Sequence, residues 1–290
     1  MRRLLPACIR CLIKAKLEDV PEEISADEKA EYMQTVLRMI GEAPAEYAAP
    51  MLIRSIGKLQ NKLFGFGEDY SEIKIHYNDL MLKLENEIRE KVETDADPLK
   101  LAMQYAMVGN YIDFSANYEV DEEYLKDFLK CAPEKEFSME LLTHLKEELA
   151  NAEKLVYLTD NCGEIVVDKI LISQLQKLYP GLDITVIVRG APASNDATME
   201  DAQQVGLTEI VKVIGNGSDL AGTWMPELSD EAKSLLEEAD LILAKGQANY
   251  ETLRTGGLNI YHLFLCKCPL FSDWFHVPQF TGMLVNEKFL

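Results

Sequence analysis

The 290-residue chain lacks the features that would carry it into a membrane, onto a nucleic acid or through a secretory route. No apolar stretch approaches the roughly 18 to 20 residues that cross a bilayer. The opening MRRLLPACIRCLIKAKL carries Arg2 and Arg3, but Arg10 and Lys14 break its apolar run and no small-residue cleavage site follows, so it does not read as a signal peptide. Basic runs are missing as well. The 29 Lys plus Arg stand against 49 Asp plus Glu, and the net charge of −20 repels polyanions and excludes nucleic acid as a partner. Six cysteines are too few for a disulfide scaffold in a chain this long and suit reduced thiols in a cytoplasm. The four histidines, His76, His144, His262 and His276, form no H-E-x-x-H or other compact ligand spacing and read as structural. The expectation is a soluble, cytoplasmic protein; no residue pattern speaks to its oligomeric state.

What is present is a 48% apolar composition, ample for one large domain or two unequal ones. Segments 27–40, 45–63, 70–92, 98–108 and 122–129 carry apolar residues at three- and four-residue spacing and predict helices. Segment 137–151 adds another, with Ser138 as its cap. From Lys154 the pattern changes to β-rich runs alternating with helical ones: KLVYLT, DITVIVR, EIVKVIG, ADLILAK and IYHLFLCK. Strands spaced by helices imply βαβ units with right-handed crossovers. The predicted fold is α/β: a three-layer α/β/α, Rossmann-like, mostly parallel sheet over 151–290, preceded by a helical domain over 1–150.

Ligands of such sheets gather beyond the carboxyl ends of the strands, and the residues there are polar in every case. KLVYLT leads into Asp160, Asn161, Cys162, Gly163 and Glu164, and DITVIVR into a stretch ending at Asp196. EIVKVI leads into Gly215-x-Gly217, DLILA into Lys245, Gly246 and Asn249, and HLFLC into Lys267. Asp160 alone could cap the following helix. Joined by Asn161 and by Asp196 one βα unit later, it offers a hard-oxygen set suited to magnesium, manganese or a similar divalent ion. Lys245 is either a snorkelling surface lysine or a point charge for non-bridging phosphate oxygens, and Gly246 and Asn249, in a tight loop with exposed backbone donors beside it, are substrate-binding candidates. Gly215-x-Gly217 could cradle phosphate, though a lone G-x-G is common in loops.

In this order the residues resemble the DUF89 family of damage-control phosphatases, in the branch with an amino-terminal C-x-x-C. Cys8-Ile9-Arg10-Cys11 is similar to that cysteine pair, and Gly109 to Phe114 to the element G-N-x-I-D-F. Asp160 to Glu164 resembles D-N-x-G-E, and Asn195 to Ala202 resembles N-D-x-T-x-E-D-A. Lys245 to Glu251 resembles K-G-Q-G-N-[FY]-E, with Ala248 in place of its second glycine, and Lys267-Cys268-Pro269 resembles K-C-P. The resemblance implies a divalent metal (Mg, Mn, Co or Ni) on Asp160, Asn161 and Asp196, phosphate met by Lys245, and small phosphorylated metabolites such as sugar phosphates as substrates.

The mechanism expected is attack of water on a metal-polarised phosphoryl group, with Lys245 stabilising charge; attack by Asp160 itself fits the same position. Glu164 is a further catalytic candidate. Asn110 and Asp113 are substrate-binding candidates that would have to reach back from the helical region, or else form an ordinary Asx turn. Cys8 and Cys11 could join Cys266 and Cys268 as a structural zinc site, or be buried thiols. Cys162 has no histidine nearby in sequence to activate it. A haloacid-dehalogenase-type phosphatase would need Asp at position 162. A nucleotide- or S-adenosylmethionine-dependent transferase suits the fold, but no G-x-G-x-x-G turn follows the first strand. An acidic adaptor using residues 20–150 leaves the strand-end cluster unexplained.

Overall fold

The computed structural model describes residues 4–65, 69–113 and 121–289. Arg2 and Arg3 of the opening and Phe114 of the G-N-x-I-D-F element lie outside them. The chain divides into two compact units, Met1–Asp69 and Tyr70–Leu290. The sequence expectation put a boundary near residue 150, where the secondary structure changes; the helices from Ser71 onward belong to the same unit as the sheet.

The first unit holds α1 (Pro6–Glu18), α2 (Ala26–Gly41) and α3 (Ala49–Phe64). Ser25 and Glu28 form a reciprocal capping box that starts α2. Leu12, Tyr32, Val36, Ile40, Leu52 and Ile56 make its apolar centre, at the three- and four-residue spacing of a buried helix stripe.

The second unit begins with α4 (Ser71–Thr94), α5 (Pro98–Gly109), α6 (Glu122–Lys130) and α7 (Met139–Leu149). The Asp97 side chain accepts from the Lys100 N–H and Pro98 pre-sets the first turn, so α5 starts sharply. Ser138 caps α7 through the Leu141 N–H, as its sequence predicts. Then β1 (Lys154–Leu158), α8 (Glu164–Leu178), β2 (Asp183–Val188), α9 (Met199–Gln204), β3 (Lys212–Gly215), α10 (Asp230–Glu238), β4 (Leu241–Lys245), α11 (Gln247–Leu253), β5 (Ile260–Leu265), α12 (Pro269–Phe275) and β6 (Gly282–Val285) alternate.

The strand order is β3-β2-β1-β4-β5-β6, with β1 to β5 parallel and β6 antiparallel to β5. Successive residues of β1 point to opposite layers. Leu155 and Tyr157 pack in the larger core with Met107, Val108 and Ile170, and Val156 and Leu158 pack with Ala232 and Leu236 of α10. That is the three-layer α/β/α arrangement expected of the fold. The sheet reverses direction of growth between β1 and β4, so the crevice beyond their carboxyl ends is the switch point where ligands of such sheets bind.

Helix α8 is buried almost all round because the sheet covers one side of it and α4 and α5 the other. Gly109 makes that approach possible. A Cβ there would stand 2.6 Å from Val167 Cγ2 of α8, so any larger residue would push α5 away and take Asn110 with it.

Candidate active site

The residues after β1 and those before α9 are sewn together by their backbones. Asn161 and Asp196 form an isolated antiparallel bridge; Ala197 N–H donates to the Asp160 carbonyl at 2.7 Å and Cys162 N–H to the Asn195 carbonyl at 2.8 Å. Ser194 takes a left-handed backbone, φ 50°, as the chain turns into this pairing. For a non-glycine residue that is a strained conformation of the kind found where a loop is held for a purpose. The result is that positions 160 and 196, far apart in the chain, share one edge of the sheet.

Their carboxylates converge on a single guanidinium. Arg189, which follows β2 and is 1% exposed, donates from Nε to Asp196 Oδ2 at 2.6 Å and sets its Nη2 3.6 Å from Asp160 Oδ1. The Arg189 Nη2 is buried and has no hydrogen-bond partner. Burial pushes the Asp160 carboxyl well above the usual carboxylate range, and the neighbouring charges of Asp196 and then Glu164 push it the same way. Burial also raises Asp196, against the pull of Arg189. These are like charges brought close together in a low dielectric, an arrangement that favours a bound cation.

Behind the carboxylates lies a hydrogen-bonded shelf. Asp160 Oδ2 accepts from Asn110 Nδ2 and from Asn161 Nδ2, each at 2.9 Å. Glu164 Oε2 accepts from the same two amides at 3.0 Å and from the Asn161 N–H at 3.2 Å. With its nitrogen turned to Asp160 and Glu164, Asn161 directs its amide oxygen the other way. Asn110 does reach back from the helical region, and its Oδ1 accepts from Leu265 N–H of β5. Asp113 pairs with Lys267, whose ammonium also donates to the Asn110 carbonyl at 2.7 Å.

Lys245 stands differently from the sequence expectation of a phosphate contact. It is 0% exposed, and its three ammonium hydrogens go to Glu164 Oε1 at 2.6 Å, Asp168 Oδ1 at 2.7 Å and the Ala106 carbonyl at 2.9 Å. Burial alone would lower its pKa, but Asp168 and Glu164 outweigh it and hold it above the ordinary value. Asp168, raised by burial to about 6, also accepts from the Tyr157 hydroxyl. Lys245 therefore braces Glu164 from below and has no hydrogen left to give a phosphate.

Gly246 and Asn249 likewise serve the scaffold. Gly246, at φ 79°, lays its backbone on Asp160. Asn249 is fully buried; it donates to the carbonyls of Thr159 and Lys245 and accepts from the Thr223 hydroxyl, tying the ends of β1 and β4 together. Ala248 lies in the first turn of α11, away from the positive-φ positions, so the helix accepts alanine without strain. The Gly215-x-Gly217 turn packs on Gly190, and Asn216 Oδ1 accepts from the Gly190 and Ser218 N–H groups at 2.8 Å. Those two donors, and the Asn216 N–H that goes to the Val188 carbonyl at 2.9 Å, are spent inside the chain.

Cys162 is buried with its thiol pushed up, first by burial, so it is no nucleophile. The cysteines form no disulfide. Among the described residues no group of three or more His, Cys, Asp and Glu is disposed to hold a metal ion, and the zinc expectation on Cys8 and Cys11 draws no support. The candidate set at the sheet edge is of another kind, two carboxylates and an amide oxygen.

Nothing in the sequence pattern assigns a role to Arg189, Lys267, Asp168 or Asn78. Arg189 carries a readable signal, a cation closing an otherwise apolar strand, and Lys267 follows the end of β5. Asp168 and Asn78 lie within helices and have no such mark.

Comparison with known proteins bears on this arrangement over nearly its whole length. Residues 4–281 match the model of the damage-control phosphatase ARMT1-like domain. A damage-control phosphatase of Archaeoglobus fulgidus is 33% identical over 274 residues, covering 92% of this chain and 93% of that protein. One from Pyrococcus horikoshii is 32% identical over 252 residues, 84% of each chain. The crystal structure of a DUF89 family protein from Pyrococcus horikoshii superposes with a TM-score of 0.76 at 25% identity, over 97% of this chain and 98% of that one. The chain belongs to the damage-control phosphatase family, the ARMT1-like or DUF89 group.

Proposed function

We propose that this protein is a divalent-metal-dependent phosphatase that hydrolyses phosphate monoesters of small metabolites, damaged or unwanted sugar phosphates and related compounds among them. Family membership supports the reaction class. The observation that carries the rest is the convergence of Asp160 and Asp196 on one buried guanidinium, with the Asn161 amide turned to add a third oxygen.

Those three residues fit a magnesium-like ion: their oxygens are hard donors, and the mutual repulsion of two buried carboxylates is what a dication relieves. When bound, such an ion supplies Lewis-acid polarisation of a phosphoryl oxygen and lowers the pKa of a coordinated water. Glu164 and Asn110 fix the Asp160 carboxylate and the Asn161 amide in place. Lys245 balances Glu164 and Asp168 and so acts through them. Arg189 Nη2, buried, ion-paired with Asp160 at 3.6 Å and without a hydrogen-bond partner, is the donor placed to meet a non-bridging phosphoryl oxygen, with Lys267 adding positive charge from the Asn110 side. Asp160 Oδ2 already accepts two hydrogen bonds, which favours the ligand role over covalent attack. The net charge of −20 suits small metabolites rather than polyanions, and among the described residues no helix is long and apolar enough to cross a membrane. We place the reaction in the cytoplasm.

The test is release of inorganic phosphate from a panel of phosphorylated metabolites by chelator-stripped protein, restoring one metal at a time. Activity should return with a divalent ion and be lost in Asp160→Ala and Asp196→Ala, with both variants folded by circular dichroism. Full turnover in either variant would remove the assignment.

A further inference from the structure

Helix α4 puts one buried amide between the two loops that carry the proposed metal ligands. Asn78 is 0% exposed. Its Oδ1 accepts from the Gly163 N–H at 2.6 Å, three residues beyond Asp160, where the loop turns into α8. Its Nδ2 donates to Asp201 Oδ1 at 2.9 Å and to Gln204 Oε1 at 2.8 Å, both on α9, just beyond Asp196. Asp201 is itself the anchor of that second loop. Its Oδ2 accepts from the Thr198 N–H and hydroxyl at 2.8 Å in the capping box that starts α9, and it is paired with Lys74, one helical turn before Asn78, at 2.7 Å.

The chemistry at this position is specific. One loop offers a donor, the Gly163 N–H, and the other an acceptor, the Asp201 carboxylate, so a spanning side chain must accept at one end and donate at the other. An amide does this. A carboxylate would set a second negative charge against Asp201, and an apolar side chain would leave both groups buried and unpaired. The backbone pairing of Asn161 with Asp196 ties the loops directly. Asn78 adds a side-chain brace from α4, with no atom given to the ligand set itself.

We propose that Asn78 is a positioning residue that fixes the separation of Asp160 and Asp196 and thereby sets the protein's affinity for its divalent cation. The proposal rests on the ligand assignment made above, and its test separates the two. Chelator-stripped protein is titrated with MnCl2 by calorimetry, and kcat is measured at saturating Mn2+. Wild type should bind and Asp160→Ala should not; if wild type fails to bind, or Asp160→Ala binds equally well, the ligand assignment falls and this proposal with it.

Given that control, Asn78→Asp should weaken Mn2+ binding by about 10- to 100-fold, the usual effect of losing a partner behind a metal ligand. Because Asn78 touches no reacting atom, kcat at saturating Mn2+ should change far less. Exchanging the two side chains, in Asn78→Asp with Asp201→Asn, restores a donor facing an acceptor and should recover most of the lost affinity. A residue that merely supports the fold would shift thermal stability without this pattern of loss and recovery. Asn78→Ser, whose short hydroxyl reaches one loop but not both, gives the same reading should Asn78→Asp fail to fold. Wild-type Mn2+ affinity in a folded Asn78→Ser or Asn78→Asp, or a double exchange that binds no better than Asn78→Asp, would overturn the proposal.

Discussion

Gly246 leaves Asp160 no room for a neighbouring side chain: a Cβ built on Gly246 would stand 1.9 Å from Asp160 Oδ2. The φ of 79° at Gly246 adds backbone strain to any replacement. Gly246→Ala should therefore displace the Asp160 carboxylate and abolish both Mn2+ binding and phosphate release. Calorimetry and a phosphate assay on the same preparation check this. Wild-type Mn2+ affinity in a folded Gly246→Ala would show that the position of Asp160 does not govern the site.

Two positions along, the opposite holds. Ala248 departs from the glycine of the family pattern, but it lies within α11, where alanine is the better helix former. Ala248→Gly should leave turnover unchanged and lower stability by a few tenths to about 1 kcal/mol, read from urea denaturation. A gain in activity would mean that the alanine restrains the loop.

Lys245 faces two buried carboxylates and no open space. Lys245→Met strands those charges, and removing one partner of a buried pair costs roughly 3 to 5 kcal/mol. A large fall in denaturation midpoint is expected, together with loss of Mn2+ affinity. If Lys245 instead met the substrate phosphate directly, the variant would lose turnover at near-native stability.

His262 is buried against Tyr250, and burial lowers its pKa from 6.5 to about 3. Between those values the unfolded chain takes up a proton that the fold refuses, so stability falls as pH drops from about 6.5 towards 3. Asp168, raised from 3.8 to about 6, has the opposite sign, since its contribution falls as pH rises through that range. Both proteins of the pair wild type and His262→Phe share that second effect. Melting temperature should drop less between neutral pH and about pH 5 in His262→Phe than in wild type, and an identical drop would show that His262 is protonated within the fold.

The fold and the proposed ligand set were legible to different depths. Apolar runs broken by polar strand ends suffice to place Asp160, Asn161 and Asp196, because position in a parallel sheet decides where strand ends go. Side-chain direction is harder. Leu241 and Leu243 face the layer of α5 and α8, and Lys245, at the same parity along β4, points there too rather than out towards a substrate. Asn78 sits on a helix whose sequence gives no sign of what lies opposite, since its partners are 85, 123 and 126 residues away. The strand β6 spans four residues, and the chain returns through α12 antiparallel to β5, so the pattern of parallel βαβ crossovers does not predict it. The unit boundary at Asp69 follows packing, which composition does not record; the change near residue 150 is one of secondary structure alone.

The ion pairs around the switch point bring together the acids Asp113, Asp160, Glu164, Asp168 and Asp196 and the bases Arg189, Lys245 and Lys267. Taken as ionised, these groups leave an excess of two negative charges in a region almost closed to solvent. On the proposed ligand assignment a dication would cancel that excess, whereas a monovalent ion would leave half of it in place, so the charge balance of the cluster supports a divalent ion over sodium or potassium.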